Sequence, residues 1–148
     1  MKTNTPLMNN VQCCVAADSL ISIADGSKKR ASDIKIGDNL LNETTHMRVT
    51  NVIQGYEKEL MYLSTENGHE LRATFSHPIL TDKGFMRVDE LTTAIRVKTE
   101  GGLSRIEHIY SVDYNATVYN FMFTSLTPFI CNGIFVGDFE AQNRIEWK

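Results

Sequence analysis

The order of residues in this chain repeats itself. Residues 23–41 (Ile-Ala-Asp-Gly-Ser-Lys-Lys-Arg-Ala-Ser-Asp-Ile-Lys-Ile-Gly-Asp-Asn-Leu-Leu) follow the same plan as residues 80–98 (Leu-Thr-Asp-Lys-Gly-Phe-Met-Arg-Val-Asp-Glu-Leu-Thr-Thr-Ala-Ile-Arg-Val-Lys). In each, an apolar strand end meets an Asp/Gly turn, a short amphipathic piece follows, and another strand begins. The match continues in the same order, residues 48–53 with 105–110 and residues 60–63 with 118–121, at an offset of roughly 57 positions. A single match can be chance. A run of matches in one order and at one spacing marks a duplicated supersecondary unit.

The local signals within that unit are those of strands. Alternating or β-branched runs occupy residues 20–23, 48–53, 61–64, 70–74, 95–99, 106–112, 118–123 and 129–131. Punctuation falls between them at Asp25-Gly26, Asn67-Gly68, Lys83-Gly84, Gly101-Gly102 and Asn132-Gly133. Asn67-Gly68 is expected to form a tight two-residue hairpin turn, because both central positions of that turn favour positive φ. Helix is confined to a turn or so at residues 29–34 and 86–91. These features predict an all-β domain of two related halves.

Bulk properties bound the function without naming it. The 148 residues suffice for one domain with its own core. A hydrophobic fraction of 42% and a charged fraction of 22% are ordinary for a soluble protein. The net charge of −3 gives no reason to expect nucleic acid or an anionic membrane as partner. No apolar run has the length to span a bilayer, and the first residues lack the apolar core of a signal peptide. Three cysteines, Cys13, Cys14 and Cys131, make a poor disulfide framework and suit a reducing, cytoplasmic compartment. A Cys13–Cys14 vicinal disulfide would be strained, and is expected only as an oxidation artefact.

Chemistry is concentrated in two places. Cys14 opens the run Cys-Val-Ala-Ala-Asp-Ser-Leu-Ile, and a cysteine at the start of a strand lies beside its own upstream peptide bond. Residues 74–77 read Thr-Phe-Ser-His, placing Thr74 and His77 three apart before Pro78. A thiolate is a strong nucleophile, and an imidazole titrating near neutrality can protonate a departing amide nitrogen. A threonine hydroxyl can donate a hydrogen bond to the bond under attack. The competing interpretation makes Cys14 a buried strand cysteine and His77 a satisfied core histidine. Cys131 is expected to be a small buried hydrophobe, and His46, His69 and His108 turn or strand-face residues. A Cys14/His77/Cys131 metal site fits no standard zinc spacing.

Five blocks in order carry a resemblance. They are Cys14-Val-Ala-Ala-Asp-Ser-Leu-Ile, Ile34-Lys-Ile-Gly-Asp-Asn-Leu-Leu, Leu71-Arg-Ala-Thr-Phe-Ser-His-Pro-Ile-Leu, Val118-Tyr-Asn-Phe and Phe129-Ile-Cys-Asn-Gly-Ile-Phe-Val. The sequence resembles the hedgehog/intein (Hint) superfamily from Cys14 to about residue 138, closest to a bacterial intein-like autoprocessing domain. The resemblance implies an all-β fold, a compact pseudo-twofold horseshoe built from a duplicated unit. It divides the chain into flanking peptide (1–13), Hint domain (14–138) and flanking peptide (139–148). By position, Cys14 matches the nucleophile of an N-to-S acyl shift at the Cys13–Cys14 bond, and Thr74 and His77 match the pair that activates that bond. Asn120 and Asp138 fall at two further catalytic positions.

The departures select among the family's reactions. Splicing inteins end in His-Asn followed by Cys, Ser or Thr, whereas this chain has Gly137-Asp138-Phe139. Asp138 has no amide nitrogen to cyclise, so cleavage after it would need a slower carboxyl route. Phe139 cannot accept an acyl group. Asn120 stands where many inteins carry Asp, and Thr127 where a later His is usual. The expectation is therefore N-terminal autocleavage without full splicing, a single-turnover reaction of a monomer. It needs no cofactor or metal, and its partners are its own flanking peptides and a small nucleophile such as water, a thiol or an amine. The alternatives are a catalytically degenerate scaffold with a structural or interaction role, and a Cys-His hydrolase acting in trans. Asn115-Ala116-Thr117 matches a glycosylation sequon that, without a secretory signal, is expected to be incidental.

Overall fold

The computed structural model describes residues 14–42, 45–124 and 128–137. In the first half, β1 (Val15–Ala16), β2 (Leu20–Ser22) and β3 (Lys28–Arg30) lead to a 3-10 helix at Ala31–Asp33. Then come β4 (Asn39–Leu41), the long β5 (His46–Thr65) and β6 (Glu70–Ala73). The second half has β7 (Pro78–Thr81), β8 (Gly84–Arg87), a 3-10 helix at Val88–Glu90 and β9 (Arg96–Thr99). It ends with the long β10 (Gly102–Phe123), β11 (Phe129–Cys131) and β12 (Ile134–Val136). The fold is all-β, and among the described residues no helix is long and apolar enough to cross a membrane.

The sequence repeat is visible as structure. The two 3-10 helices lie 57 positions apart, and each follows an extended arginine, Arg30 (φ −65°, ψ 147°) or Arg87 (φ −69°, ψ 145°). Each helix ends where the N–H of Ile34 or Leu91 returns to the carbonyl of Ala31 or Val88. Both copies fold β2 on β3 or β7 on β8 as a hairpin, and lay β4 on β5 or β9 on β10. The long strands β5 and β10 then pair antiparallel with each other, from Thr65↔Ile106 to Val49↔Phe123, joining the copies about a pseudo-twofold axis.

Irregularities in that pairing respect the repeat with one exception. Thr50 on β5 and Glu107 on β10 are each the extra residue of a bulge, and they too lie 57 positions apart. Between Asp113↔Glu59 and Ala116↔Glu57, two residues, Tyr114 and Asn115, face Lys58 alone. This central bulge belongs to the second copy only, and Asn115 adopts φ 54° to form it. It is the inserted residue that moves the offset from 57 to 58 for the segments that follow.

Two expectations are corrected. Residues 48–53 and 61–64, expected as separate strands, are parts of one strand, as are 106–112 and 118–123. The intervening polar segments lack an apolar period, yet each supplies the other's ladder hydrogen bonds, which is what a strand requires. The two-residue hairpin turn is also misplaced. At Asn67-Gly68 only the glycine has positive φ (97°), and the connection is longer, with Thr65 N–H bonded to the His69 carbonyl. Asn132 (φ 53°) and Gly133 (φ 83°) form the tight turn instead, between the paired residues Cys131 and Ile134.

The main core gathers Ile21, Leu40, Met47, Leu63, Leu71, Ile79, Val97, Phe121, Phe129 and Ile134 from both copies. A smaller cluster of Cys14, Ala16, Ile53, Leu60 and Val118 occupies the closed circuit in which β10 pairs β1, β1 pairs β6, β6 pairs β5 and β5 pairs β10.

A Cβ at Gly133 would overlap the His69 imidazole as well as strain a positive-φ backbone. Gly133→Ala is expected to destabilise the fold by about 2 kcal/mol in urea unfolding. A companion His69→Ala substitution should restore part of that loss by removing the clash.

Candidate functional site

Strand β1 is only two residues long, but it is inserted between β6 and β10. Val15 pairs with both Ala73 and Tyr119, and Ala16 with Val118. One step upstream, Cys14 and Thr74 continue the ladder. Thr74 N–H donates to the Cys14 carbonyl at 2.8 Å, and Cys14 N–H donates to Thr74 Oγ1 at 2.9 Å. On the other side, the same step of register brings Cys14 level with Asn120. Cys14, His77 and Asn120 are fully buried and Thr74 is 2% exposed.

The geometry explains why a hydroxyl is needed at residue 74. In an ordinary antiparallel pair, the Cys14 N–H would bond the residue 74 carbonyl. Here that carbonyl accepts the His77 N–H at 3.1 Å, closing a turn over residues 74–77. The side-chain oxygen takes over the ladder position that the turn has vacated. The hydroxyl therefore accepts from the N–H of the bond upstream of Cys14, where the sequence suggested that it would donate to that bond.

The turn is anchored by the second 3-10 helix, whose Val88 and Asp89 N–H groups donate to the His77 (3.0 Å) and Phe75 (2.8 Å) carbonyls. A twin turn exists in the first copy, and sequence reasoning missed it. Ser19 N–H bonds the Ala16 carbonyl at 3.1 Å, and Ala31 and Ser32 of the first 3-10 helix bond the Ser19 and Ala17 carbonyls. Extending the repeat upstream at an offset of 58 would have aligned Ala16-Ala17-Asp18-Ser19 with Thr74-Phe75-Ser76-His77. Ser76, 1% exposed, is a further buried polar group of this turn that the sequence did not single out.

The far end of the domain arrives at the other side of the same turn, on β7. Val136 pairs with Ile79, and Gly137 N–H donates to the Pro78 carbonyl at 2.8 Å. Thus Cys14 is held by Thr74 and Gly137 by Pro78, on either side of His77. Cys13 and Asp138, the expected junction residues, lie outside the described residues, as do Thr127 and Phe139. Asn120 Oδ1 accepts the Phe121 N–H at 2.8 Å, so its amide is oriented by the backbone of its own strand.

Cys131 lies in β11 between Ile21 and Ile134, and burial pushes its thiol up to about 12. It is a core residue, too weakly ionised to act as a nucleophile. His46 and His108 are exposed on strand faces, His108 Nδ1 lying 3.2 Å from Ser64 Oγ, and His69 is in the β5–β6 connection. Among the described residues, no group of three or more His, Cys, Asp and Glu side chains is placed to hold a metal ion. A thiol held near 12 in the fold, against an ordinary 9.0, keeps its proton longer than the unfolded chain does. The stability it contributes is complete below pH 9 and is lost as pH rises from 9 towards 12. The stability difference between wild type and Cys131→Ala, from chemical unfolding, is expected to shrink over that range by up to about 1.4 kcal/mol per pH unit.

No family model matches the sequence. One stretch of 86 residues, 53% of this chain, is 35% identical to the replicative DNA helicase DnaB of Rhodothermus marinus; it spans 9% of that protein's length. Among solved structures, a DnaB intein from Synechocystis sp. PCC 6803 is similar over 84% of this chain and 97% of its own, with TM-score 0.72 and 24% identity. The gp41-1 intein is similar over 84% of this chain and 98% of its own, with TM-score 0.77 and 21% identity. A bacterial intein-like domain from Clostridium thermocellum is similar over 85% and 99%, with TM-score 0.75 and 22% identity. The duplicated β unit, the single sheet joined about a pseudo-twofold axis and these likenesses lead to one conclusion: the chain is a domain of the Hint fold, the fold of inteins and of the bacterial intein-like domain.

Proposed function

We propose that this is a self-processing domain that converts the Cys13–Cys14 peptide bond into a thioester. The observation that carries the proposal is the buried Cys14 N–H···Thr74 Oγ1 hydrogen bond, formed at the start of the turn that ends in His77. The Cys14 thiolate attacks the Cys13 carbonyl, forming the S–C bond and a tetrahedral intermediate. The intermediate collapses with cleavage of the C–N bond, and the Cys14 nitrogen leaves with a proton supplied by His77. Thr74 keeps that nitrogen in register while it changes from planar to tetrahedral, a positioning effect on the reacting atoms. Asn120, level with Cys14, supplies an oriented neutral amide and no exchangeable proton.

The thioester then passes its acyl group, residues 1–13 as the sequence stands, to water, a thiol or an amine. Full splicing is not part of the proposal, because Gly137 and Asp138 lack the imidazole and amide that release the downstream flank, and Phe139 cannot accept the acyl group. The reaction is intramolecular, so a monomer suffices, and its thiol suits a reducing, cytoplasmic compartment. The stretch shared with DnaB, together with the likeness to a DnaB intein, supports an intein-type segment and not a part of helicase machinery.

The test is intact-mass analysis of the purified chain incubated with a small thiol at mildly alkaline pH. Wild type is expected to lose residues 1–13. Cys14→Ala should lose nothing, His77→Ala should react at least about a hundredfold more slowly, and Thr74→Ala about tenfold or more slowly. An unchanged wild-type mass sinks the proposal and leaves a folded scaffold with a structural or interaction role. Combining Gly137→His with Asp138→Asn is expected to create cleavage after residue 138, detected as a second mass loss.

A further inference from the structure

The two copies of the duplicated unit differ beside their equivalent turns. Next to the first-copy turn, Tyr114 occupies the space, its hydroxyl accepting the Ala17 N–H at 2.8 Å and donating to the Thr117 carbonyl at 2.7 Å. Arg72 lies over its ring, 5.4 Å from the centroid. In the first copy, the position equivalent to the Tyr114-Asn115 bulge is Glu57, 57 residues before Tyr114, which falls beside the second-copy turn. Glu57 brings a carboxylate there where the second copy brings the Tyr114 ring. A groove of about 730 Å³ opens there, lined by Tyr56, Glu57, Lys58, Glu59, Thr74, Phe75, Asp113 and Asn115.

The groove starts at the residue that grips the reacting bond. Phe75, next to Thr74 in the turn, is 37% exposed in the groove wall. The groove's charge is mainly acidic, with the carboxylates of Glu57, Glu59 and Asp113 against the single ammonium of Lys58. Glu59 and Asp113 stand directly opposite each other in the β5–β10 ladder, a like-charge pairing that costs stability in a sheet. Burial holds the Glu57 carboxyl above its usual range. Among the described residues, none of these three carboxylates has an ion-pair partner. Residues 1–13 contain no Asp or Glu, and one lysine, Lys2.

We propose that this groove is the subsite for the acyl side of the scissile bond. It holds the residues just upstream of Cys14 as extended chain, accepts neutral and basic side chains and rejects acidic ones. Its role rests on the thioester chemistry proposed above; its occupancy does not. The exposed carboxylates, costly to the free sheet, become specificity determinants for the segment that is transferred.

Two measurements separate binding from chemistry. In the first, a benzophenone amino acid replaces Gln12 in the Cys14→Ala chain, which cannot react, and cross-links are mapped by mass spectrometry. Cross-links to residues 56–59 or 113–115 are expected. Cross-links only elsewhere, or only between two copies, overturn the proposal whether or not the thioester forms. In the second, thiol-induced cleavage is timed at low ionic strength for Val11→Glu, Val11→Lys, Gln12→Glu and Gln12→Lys. At the position facing the groove, the Lys chain is expected to react about fivefold faster than the Glu chain. Combining Glu57→Gln, Glu59→Gln and Asp113→Asn leaves Lys58 in the wall and should bring that ratio to one or below. A ratio near one before neutralisation, or one that survives it, overturns the proposal. So does a groove whose neutralisation alters only the rate with an added amine, which would assign it to the acceptor. Cross-links at the groove with no cleavage in any chain would uphold the subsite and refute the thioester reading.

Discussion

The antiparallel pairing of β5 with β10 is the interaction on which the rest of this domain depends. Each strand spans one copy of the duplicated unit, and neither central segment could be a stable strand alone, since both are polar and largely exposed there. Paired, they satisfy each other's backbone and give the smaller elements edges to join. Strand β6 pairs with β5, and β1 closes the gap between β6 and β10. Cys14 enters the site through that closure. A two-residue strand would not hold its place unaided, and here it is paired on both sides.

The two copies of the unit are not equivalent at the candidate site. The turn that carries Thr74 and His77 has a twin at residues 16–19, with the same closing hydrogen bond and the same anchorage to a 3-10 helix. In one copy the turn ends in Ser19 and is flanked by a filled space; in the other it ends in His77 and borders an open groove. Duplication therefore supplies the frame, and divergence at a few positions sets the candidate site apart from its twin. The cost of an exposed carboxylate pair at Glu59 and Asp113 falls on the diverged side.

Much of this was legible in the residues because the repeat is dense in strand and turn signals. The 3-10 helices at Ala31–Asp33 and Val88–Glu90 fall inside the two short amphipathic pieces. Cys131 is a core residue, as its apolar neighbours suggest. The errors have a common origin. Asn67-Gly68 has the composition of a tight turn, but Asn67 is bound to Thr65 Oγ1 through its Oδ1 and to Thr99 Oγ1 through its Nδ2, and the loop takes a longer form. Residues 54–59 carry no apolar period, because their pairing partner and not an apolar buried face makes them strand. Strand β3, Lys28–Arg30, is wholly basic and owes its conformation to β2.

From residue type and spacing alone the fold could be read as duplicated and all-β, and Cys14, Thr74 and His77 could be singled out as the candidate site. Those properties reside in residue type and spacing, which the chain carries before it folds. Only the tertiary structure decided that Thr74 accepts the Cys14 N–H, that Gly137 is brought to Pro78 beside His77, and that one of two equivalent turns borders a groove. Each of these depends on which hydrogen-bonding group remains available once the other backbone pairs have formed. For Thr74 the outcome turned on a single carbonyl, already taken by His77, leaving its hydroxyl as the acceptor of the Cys14 N–H.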